Sequence, residues 1–264
     1  MQPVAFLVGA SSGIGYEFAK ICMQKGYAVM NASRTPCDID GVTNYTVNVK
    51  NREEIEEAVR DITKRKRRID LLVYFAGISM AAPVEHAEEE DICELYDVNY
   101  YGFLRVVSTV LPVMRAQNRG KIVAVSSLGS VLPIPFDTFY SGTKAGLNLV
   151  CETLKMELSP FRIKVYSVLL GGVKTGFSEK RNVYAGAGAR LYYGKMKNAV
   201  KALTETEQKG MHAEVAAKKI MQTTYKKNPP PLIVIGGKNK FYYLCAKYLP
   251  RRWVCGLLSR KYKI

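Results

Sequence analysis

The stretch Gly9-Ala10-Ser11-Ser12-Gly13-Ile14-Gly15 decides how the rest of the chain is read. It follows the apolar run Val-Ala-Phe-Leu-Val at 4–8 and opens an amphipathic pattern that begins near Tyr16. Glycines at a strand-to-helix turn let the backbone fold back tightly and come close to a ligand. The first amides of the helix and its dipole then form a seat for an anion. A glycine-rich stretch alone is weak evidence, but the flanking strand and helix are the context such a loop needs. The reading is a pyrophosphate loop, with Gly9, Ser11, Ser12, Gly13, Ile14 and Gly15 around the phosphates.

Outward from this loop, short apolar runs alternate with amphipathic stretches. YAVMNAS (27–33), YTVNV (45–49), LLVYFAG (71–77), KIVAVSS (121–127), IKVYSVLL (163–170) and PLIVIGG (231–237) read as strands. REEIEEAVRDI (52–62), the segment 91–114 and the segment 143–161 read as helices. Fully apolar strands separated by helical patterns argue a parallel sheet covered on both faces. The expectation is a doubly wound α/β sheet, the Rossmann fold, with ligands beyond the carboxyl ends of the strands. Between Ser33 and Tyr45 the connection is short and holds Pro36 and Gly41, which argues against a full helix there. From about 176 to 210 the rhythm breaks into a glycine- and aromatic-bearing insert, AGAGARLYYGKM, read as an irregular substrate lid. Residues 1–237 are expected to form one binding and catalytic domain, with 238–264 as a basic amphipathic tail.

The second strand selects the dinucleotide. An acid at its end would hold a ribose 2′-hydroxyl and repel a 2′-phosphate. Here the strand runs into Ser33 and Arg34, with no acid until Asp38. A hydroxyl and a guanidinium suit a phosphate, so NADP(H) is preferred over NAD(H). The plain alternative for Arg34 is a solvated loop cation.

Tyr-x-x-x-Lys places both side chains on one helix face. The pattern occurs at Tyr16/Lys20, Tyr140/Lys144, Tyr193/Lys197 and Tyr243/Lys247, so by itself it identifies nothing. Only Tyr140 has a serine thirteen residues upstream, Ser127, at the end of an apolar strand. A ketone accepting hydride develops an alkoxide that must be protonated, and Tyr140 suits the donor. Its ordinary pKa near 10 calls for a neighbouring cation, which Lys144 can supply, while Ser127 can orient the carbonyl oxygen.

GASSGIG (9–15), FAG (75–77), DVN (97–99), VSS (125–127) and YSGTK (140–144), in this order and spacing, resemble the short-chain dehydrogenase/reductase family. The resemblance spans about Val4 to Thr175, and the late strand 232–235 fits it too. It implies a catalytic tetrad of Asn99, Ser127, Tyr140 and Lys144 acting on an alcohol or ketone. Asn99 would hold a water that relays protons, and Lys144 would also hold the nicotinamide ribose. The resemblance places Asn48, Val49, Ala76, Gly77, Val173 and Thr175 beside the cofactor, and implies a homodimer or homotetramer built by the helices around Asn99 and Tyr140. Three departures stand out. Phe75 replaces the usual Asn, which puts local packing in question, and Asn48 replaces an Asp beside the adenine. Gly171-Gly172 replaces Pro-Gly, which would loosen the hinge of the lid.

Pro133 to Phe136 and Phe177 resemble the hydroxysteroid and retinol dehydrogenase branch. Phe177, Tyr184 and Tyr192, with Leu191, Tyr193 and Met196, form a set suited to a large apolar substrate held at Ser127 and Tyr140; packing within the domain is the competing use. The function expected is an NADP(H)-dependent oxidoreductase interconverting a hydrophobic secondary alcohol and its ketone, of hydroxysteroid or bile-acid type. A long-chain lipid ketone, 3-ketosphinganine-like, or a retinoid is the alternative. A non-catalytic NADP-sensing regulator is a remote one, disfavoured because the tetrad is intact.

The 264 residues carry a formal net charge of +16, with 48% hydrophobic residues, ample for a core. Eight cations lie in the acid-free tail 238–264, and five form Lys64-Arg65-Lys66-Arg67-Arg68, read as a solvated helix end. A nucleic-acid partner is therefore not expected. Trp253, Val254, Leu257 and Leu258 recur at helical spacing in the tail, giving one apolar and one cationic face. Such a helix lies peripherally at a membrane surface or packs on its own fold. Six cysteines without metal or CxxC spacing, and an N-terminus without the basic start of a signal peptide, suit a cytoplasmic protein and no metal site.

Overall fold

A computed structural model describes residues 2–184 and 190–264. The Ala-Gly-Ala-Gly-Ala run at 185–189, part of the expected lid, lies outside the described residues. The central sheet uses β1 (Val4–Val8), β2 (Ala28–Ser33), β3 (Thr43–Thr46), β4 (Leu71–Tyr74), β5 (Gly120–Ser127), β6 (Ile163–Leu170) and β7 (Leu232–Val234). Their order is β7-β6-β5-β4-β1-β2-β3, with every neighbouring pair parallel. The order reverses between β1 and β4, so a crevice opens beyond their carboxyl ends. The sheet is the doubly wound one expected, in a single domain.

Helices cover both faces. On one side α2 (Arg52–Lys66), α4 (Gly102–Ala116) and α5 (Thr138–Glu157) bury Ile55, Ile62, Phe103, Val110 and Leu147 against the sheet. On the other, α1 (Gly13–Gln24) and α7 (Ala213–Thr224) bury Phe18, Cys22, Ala217 and Ile220. The helix α3 (Glu89–Tyr96) runs through one π-turn, Asp97–Tyr101, into α4. As the connection 33–45 suggested, β2 passes to β3 without a helix.

The insert is more regular than its composition suggests. It contains α6, a 16-residue helix over Tyr193–Gln208. The glycines before it hide a helical signal: Met196, Ala199, Val200 and Leu203 recur at three- and four-residue steps. Gly171 does not stand in open space either. A Cβ there would lie 2.3 Å from the Asn239 side-chain oxygen, and one at Gly172 would lie 2.2 Å from the Thr206 carbonyl oxygen. These glycines admit close packing of the later helices, which corrects the expectation of a loosened hinge.

The tail forms α8 (Gly237–Tyr248) and α9 (Arg251–Tyr262). The single apolar face expected for α9 is divided in two. Val254, Leu258 and Tyr262, at four-residue steps, turn inward, with Val254 and Tyr262 each 3% exposed. Trp253 and Leu257 stay outside, more than half exposed. No helix among the described residues is long and apolar enough to cross a membrane.

This division predicts opposite outcomes for neighbouring substitutions. Val254→Ala should cost about 1–3 kcal/mol in urea unfolding, whereas Trp253→Ala should stay within about 0.5 kcal/mol of the parent.

Candidate active site

The expected phosphate loop is a turn that only glycine permits at two of its corners. Gly9 has φ +89°, and a Cβ on it would lie 2.7 Å from the Ala76 backbone nitrogen. At Gly15 a Cβ would lie 2.3 Å from the Gly9 carbonyl oxygen. Ser12 precedes α1 in extended conformation and makes no side-chain cap, and the first turn of α1 holds no acid. Its leading amides and dipole are thus available to an anion.

From this loop a cleft of about 830 Å³ runs across the carboxyl ends of the strands. Gly9, Ser11, Ser12, Gly13, Ile14, Gly15, Ser33, Arg34, Asn48, Val49, Ala76, Gly77, Val173 and Thr175 all line it. So do Ser127, Tyr140, Lys144 and Phe177. Ser33 is buried, its hydroxyl donating to Asn31 Oδ1 at 2.7 Å, and Asn31 Oδ1 also accepts the Ala10 amide. Arg34 is exposed at the rim, with no ion pair among the described residues. The next acid, Asp38, faces the Tyr16 hydroxyl instead, and raises its pKa. Phe75 packs its ring 5.3 Å from that of Phe18 in the core, so the departure from Asn is absorbed by apolar contact.

These residues fit a dinucleotide. Any Cβ at Gly9 or Gly15 would strike the backbone that forms the loop, and the leading amides of α1, the Ser11 and Ser12 hydroxyls and the Arg34 guanidinium along the cleft suit phosphates.

The groups expected to react converge at the other end. Lys144 and Tyr140 share one face of α5, with Lys144 Nζ 5.6 Å from the Tyr140 ring centre. Nζ donates to the Val125 carbonyl oxygen at 3.0 Å, which fixes the ammonium over the end of β5. Burial pushes the Lys144 pKa down to about 8. Burial also raises the Tyr140 pKa, and the Asp137 carboxylate adds to the rise, while the nearby Ser127 hydroxyl pulls the other way. Tyr140 is therefore held protonated, as a proton donor requires. Ser127 Oγ accepts the Gly129 amide at 3.1 Å, which leaves its own hydrogen free for a ligand oxygen.

Asn99 sits in the π-turn, fully buried, an irregularity frequent at functional sites. Its Oδ1 accepts the Ile78 amide at 2.8 Å, and its Nδ2 donates to the Ile78 carbonyl and to Thr143 Oγ1. Both amide hydrogens are thus used by the protein. A Cβ on Gly77 would lie 3.2 Å from Asn99 Oδ1 and 3.5 Å from Lys144 Nζ, so glycine keeps the gap between them open. Tyr74 braces the turn by donating to the Val98 carbonyl at 2.6 Å.

Two aromatic residues expected at the substrate lie elsewhere. Tyr184 and Tyr192 are not among the residues lining the cleft. Tyr184 packs with Met80, Ala82, Leu95 and Phe139 behind Tyr140, and Tyr192 meets His86 and Phe136 edge-on. Their place is taken by groups that the sequence reading missed. Asp137, Arg181 and Glu207 line the inner cleft, with Arg181 Nη2 2.6 Å from Glu207 Oε1 and its Nε donating to Ser79 at 3.0 Å. Burial pushes the Asp137 carboxyl up to about 7. The wall beside Tyr140 is therefore partly charged rather than purely apolar. No signal marked Arg181 and Glu207, although an acid three residues before Tyr140 was visible.

The fold and site together define a dinucleotide-dependent carbonyl or alcohol oxidoreductase. A family model described as short chain dehydrogenase matches residues 3–186, and the chain belongs to the short-chain dehydrogenase family. A 3-ketodihydrosphingosine reductase of Bacteroides thetaiotaomicron is 35% identical over 215 residues, covering 80% of either chain. Human 17-beta-hydroxysteroid dehydrogenase type 1 is 27% identical over 196 residues, covering 68% of this chain and 59% of its own. Among solved structures, a short-chain dehydrogenase from Streptomyces avermitilis superposes with a TM-score of 0.84 at 26% identity, over 100% of this chain and 97% of that one.

The lowered Lys144 pKa carries a pH prediction. The ammonium beside Tyr140 is charged below about pH 8 and lost above it. Ketone reduction should fall as pH rises through that value, rather than near the ordinary 10.5 of lysine. A pH profile of kcat/KM checks this.

Proposed function

We propose that the protein is an NADP(H)-dependent reductase of a long-chain lipid ketone of the 3-ketosphinganine type. One observation carries the reading: the glycine-rich loop, Arg34, Ser127, Tyr140 and Lys144 line a single cleft, with Asn99 buried beside Gly77 of its wall. The similarity to a 3-ketodihydrosphingosine reductase supports the lipid ketone and moves it ahead of the hydroxysteroid or bile-acid substrate expected first. NADP(H) is supported by Arg34 at the rim and by the engagement of Asp38 with Tyr16.

The dinucleotide, when bound, supplies a hydride to the carbonyl carbon. Ser11, Ser12 and the amides leading into α1 would hold its pyrophosphate, Arg34 its 2′-phosphate, since the Ser33 hydroxyl expected there is engaged by Asn31, and Lys144 and Thr175 its nicotinamide end. Ser127 donates its free hydroxyl hydrogen to the ketone oxygen and orients it. Tyr140 donates the proton that the developing alkoxide needs. Lys144 stabilises the resulting tyrosinate through its charge, and Asn99 holds the Ile78 backbone next to Gly77 in place. Phe177, whose ring centre lies 6.0 Å from that of Tyr140, lines the cleft beside it.

The assembly and surroundings are part of the proposal. Exposed Tyr101, Leu149 and Met156 around the π-turn and α5 support a homodimer through those helices. In the tail, Phe241, Leu244, Tyr248, Trp253 and Leu257 stand exposed among eight cations and no acid, which supports peripheral contact with an anionic membrane surface.

Two measurements test this. NADPH absorbance with a long-chain 3-ketone should show turnover that exceeds the rate with NADH, and Tyr140→Phe should reduce it about 100-fold or more while NADPH still binds. Retained turnover would refute the role of Tyr140. For the membrane, co-sedimentation with phosphatidylglycerol vesicles should be strong for the full chain and weak for Trp253→Ala/Leu257→Ala; equal binding would sink that part.

A further inference from the structure

The Asp137 carboxylate has no role in the chemistry above. It directly precedes α5, three residues before Tyr140, lines the same cleft and is 3% exposed. Its Oδ2 accepts the Ser141 hydroxyl at 3.1 Å, whereas its Oδ1 has no hydrogen-bond partner among the described residues. Burying a carboxylate oxygen without a partner is costly, and such groups mark a missing donor. The nearest cation is already committed. Arg181 pairs with Glu207 and Ser79, and Glu207 also accepts the Ser178 hydroxyl. With Arg181 and Glu207 cancelling, an ionised Asp137 leaves this wall with one negative charge. Tyr140 and Tyr262 feel that charge without hydrogen-bonding to it.

Position then narrows the ligand. Tyr140 and Ser127 fix where a ketone oxygen must sit, and residues three apart at a helix start are neighbours. A donor that reaches Asp137 Oδ1 therefore belongs to an atom close to the carbonyl carbon. A cation satisfies a buried carboxylate better than a neutral donor does. We propose that Asp137 is the subsite for an ammonium group on the carbon next to the ketone, so that the enzyme selects long-chain α-amino ketones. The proposal rests on the reading of the cleft as a ketone reductase and adds to it the group that confers selectivity. Asp137 positions and discriminates; the proton still comes from Tyr140.

The test compares two ketones of equal chain length, one with a 2-amino group and one without, on the parent and on Asp137→Asn. NADPH binding, followed by fluorescence, reports that the variant is folded. The parent should favour the amino ketone, and the ratio of the two kcat/KM values should fall about tenfold or more in Asp137→Asn. An unchanged ratio, or a parent that prefers the ketone lacking the amine, would overturn the subsite. Turnover of neither ketone by the parent would overturn the reductase reading itself. Inhibition of the parent alone provides a second measure that needs no variant, read against whichever ketone is turned over. A long-chain 2-amino alcohol should inhibit about tenfold more tightly than the same alcohol without nitrogen, and equal inhibition would overturn the proposal.

Discussion

The close approach of the Gly9 backbone to the end of β4 is the constraint on which the site depends. Gly9 donates its amide to the Ala32 carbonyl of β2 at 2.9 Å, and Ala76 donates to the Val8 carbonyl of β1 at 3.0 Å. Three strands are thereby tied at the point where the sheet order reverses. A side chain on Gly9 would enter the Ala76 backbone and separate them. This tie aims the amides of α1 into the crevice and sets the position of Gly77, which spaces Asn99 from Lys144. The proposed binding and catalytic groups come from distant parts of the chain, yet they are indexed to one backbone knot.

A second layer of order comes from Val125 and Tyr74. The Val125 carbonyl holds the Lys144 ammonium, while the Tyr74 hydroxyl holds the π-turn that carries Asn99. Both act on groups that are buried and would otherwise be free to reorient. Burial has electrostatic consequences as well. It lowers the pKa of Lys144 and raises that of Tyr140, so the lysine approaches its titration range while the tyrosine stays protonated. That combination suits proton donation to a ketone oxygen.

The parts of this molecule legible in the sequence are those whose chemistry is local. Gly9 to Gly15 lie within one turn, and Tyr140 and Lys144 lie four apart on one helix, so spacing alone brings each set together. The strand pattern of apolar runs also gave the sheet. What spacing could not show is long-range. Arg181 meets Ser79 across 102 residues of chain, and Glu207 arrives on α6, a helix hidden behind a glycine-rich run. Tyr184 and Tyr192 looked like substrate contacts because they are aromatic and near Phe177 in the chain. The structure uses them for packing instead. The tail divides likewise: four-residue steps predicted a single apolar face, but only the stripe Val254, Leu258 and Tyr262 finds the core.

The central claim is that this cleft brings a reduced nicotinamide and a ketone carbon together beneath Tyr140. Its most direct test is isotopic: NADPH carrying deuterium on the transferable position of nicotinamide C4, incubated with a long-chain ketone, and the product read by mass spectrometry. The account predicts one deuterium on the carbinol carbon for each NADPH oxidised. Alcohol formed without deuterium, or NADPH oxidised without alcohol, would contradict it.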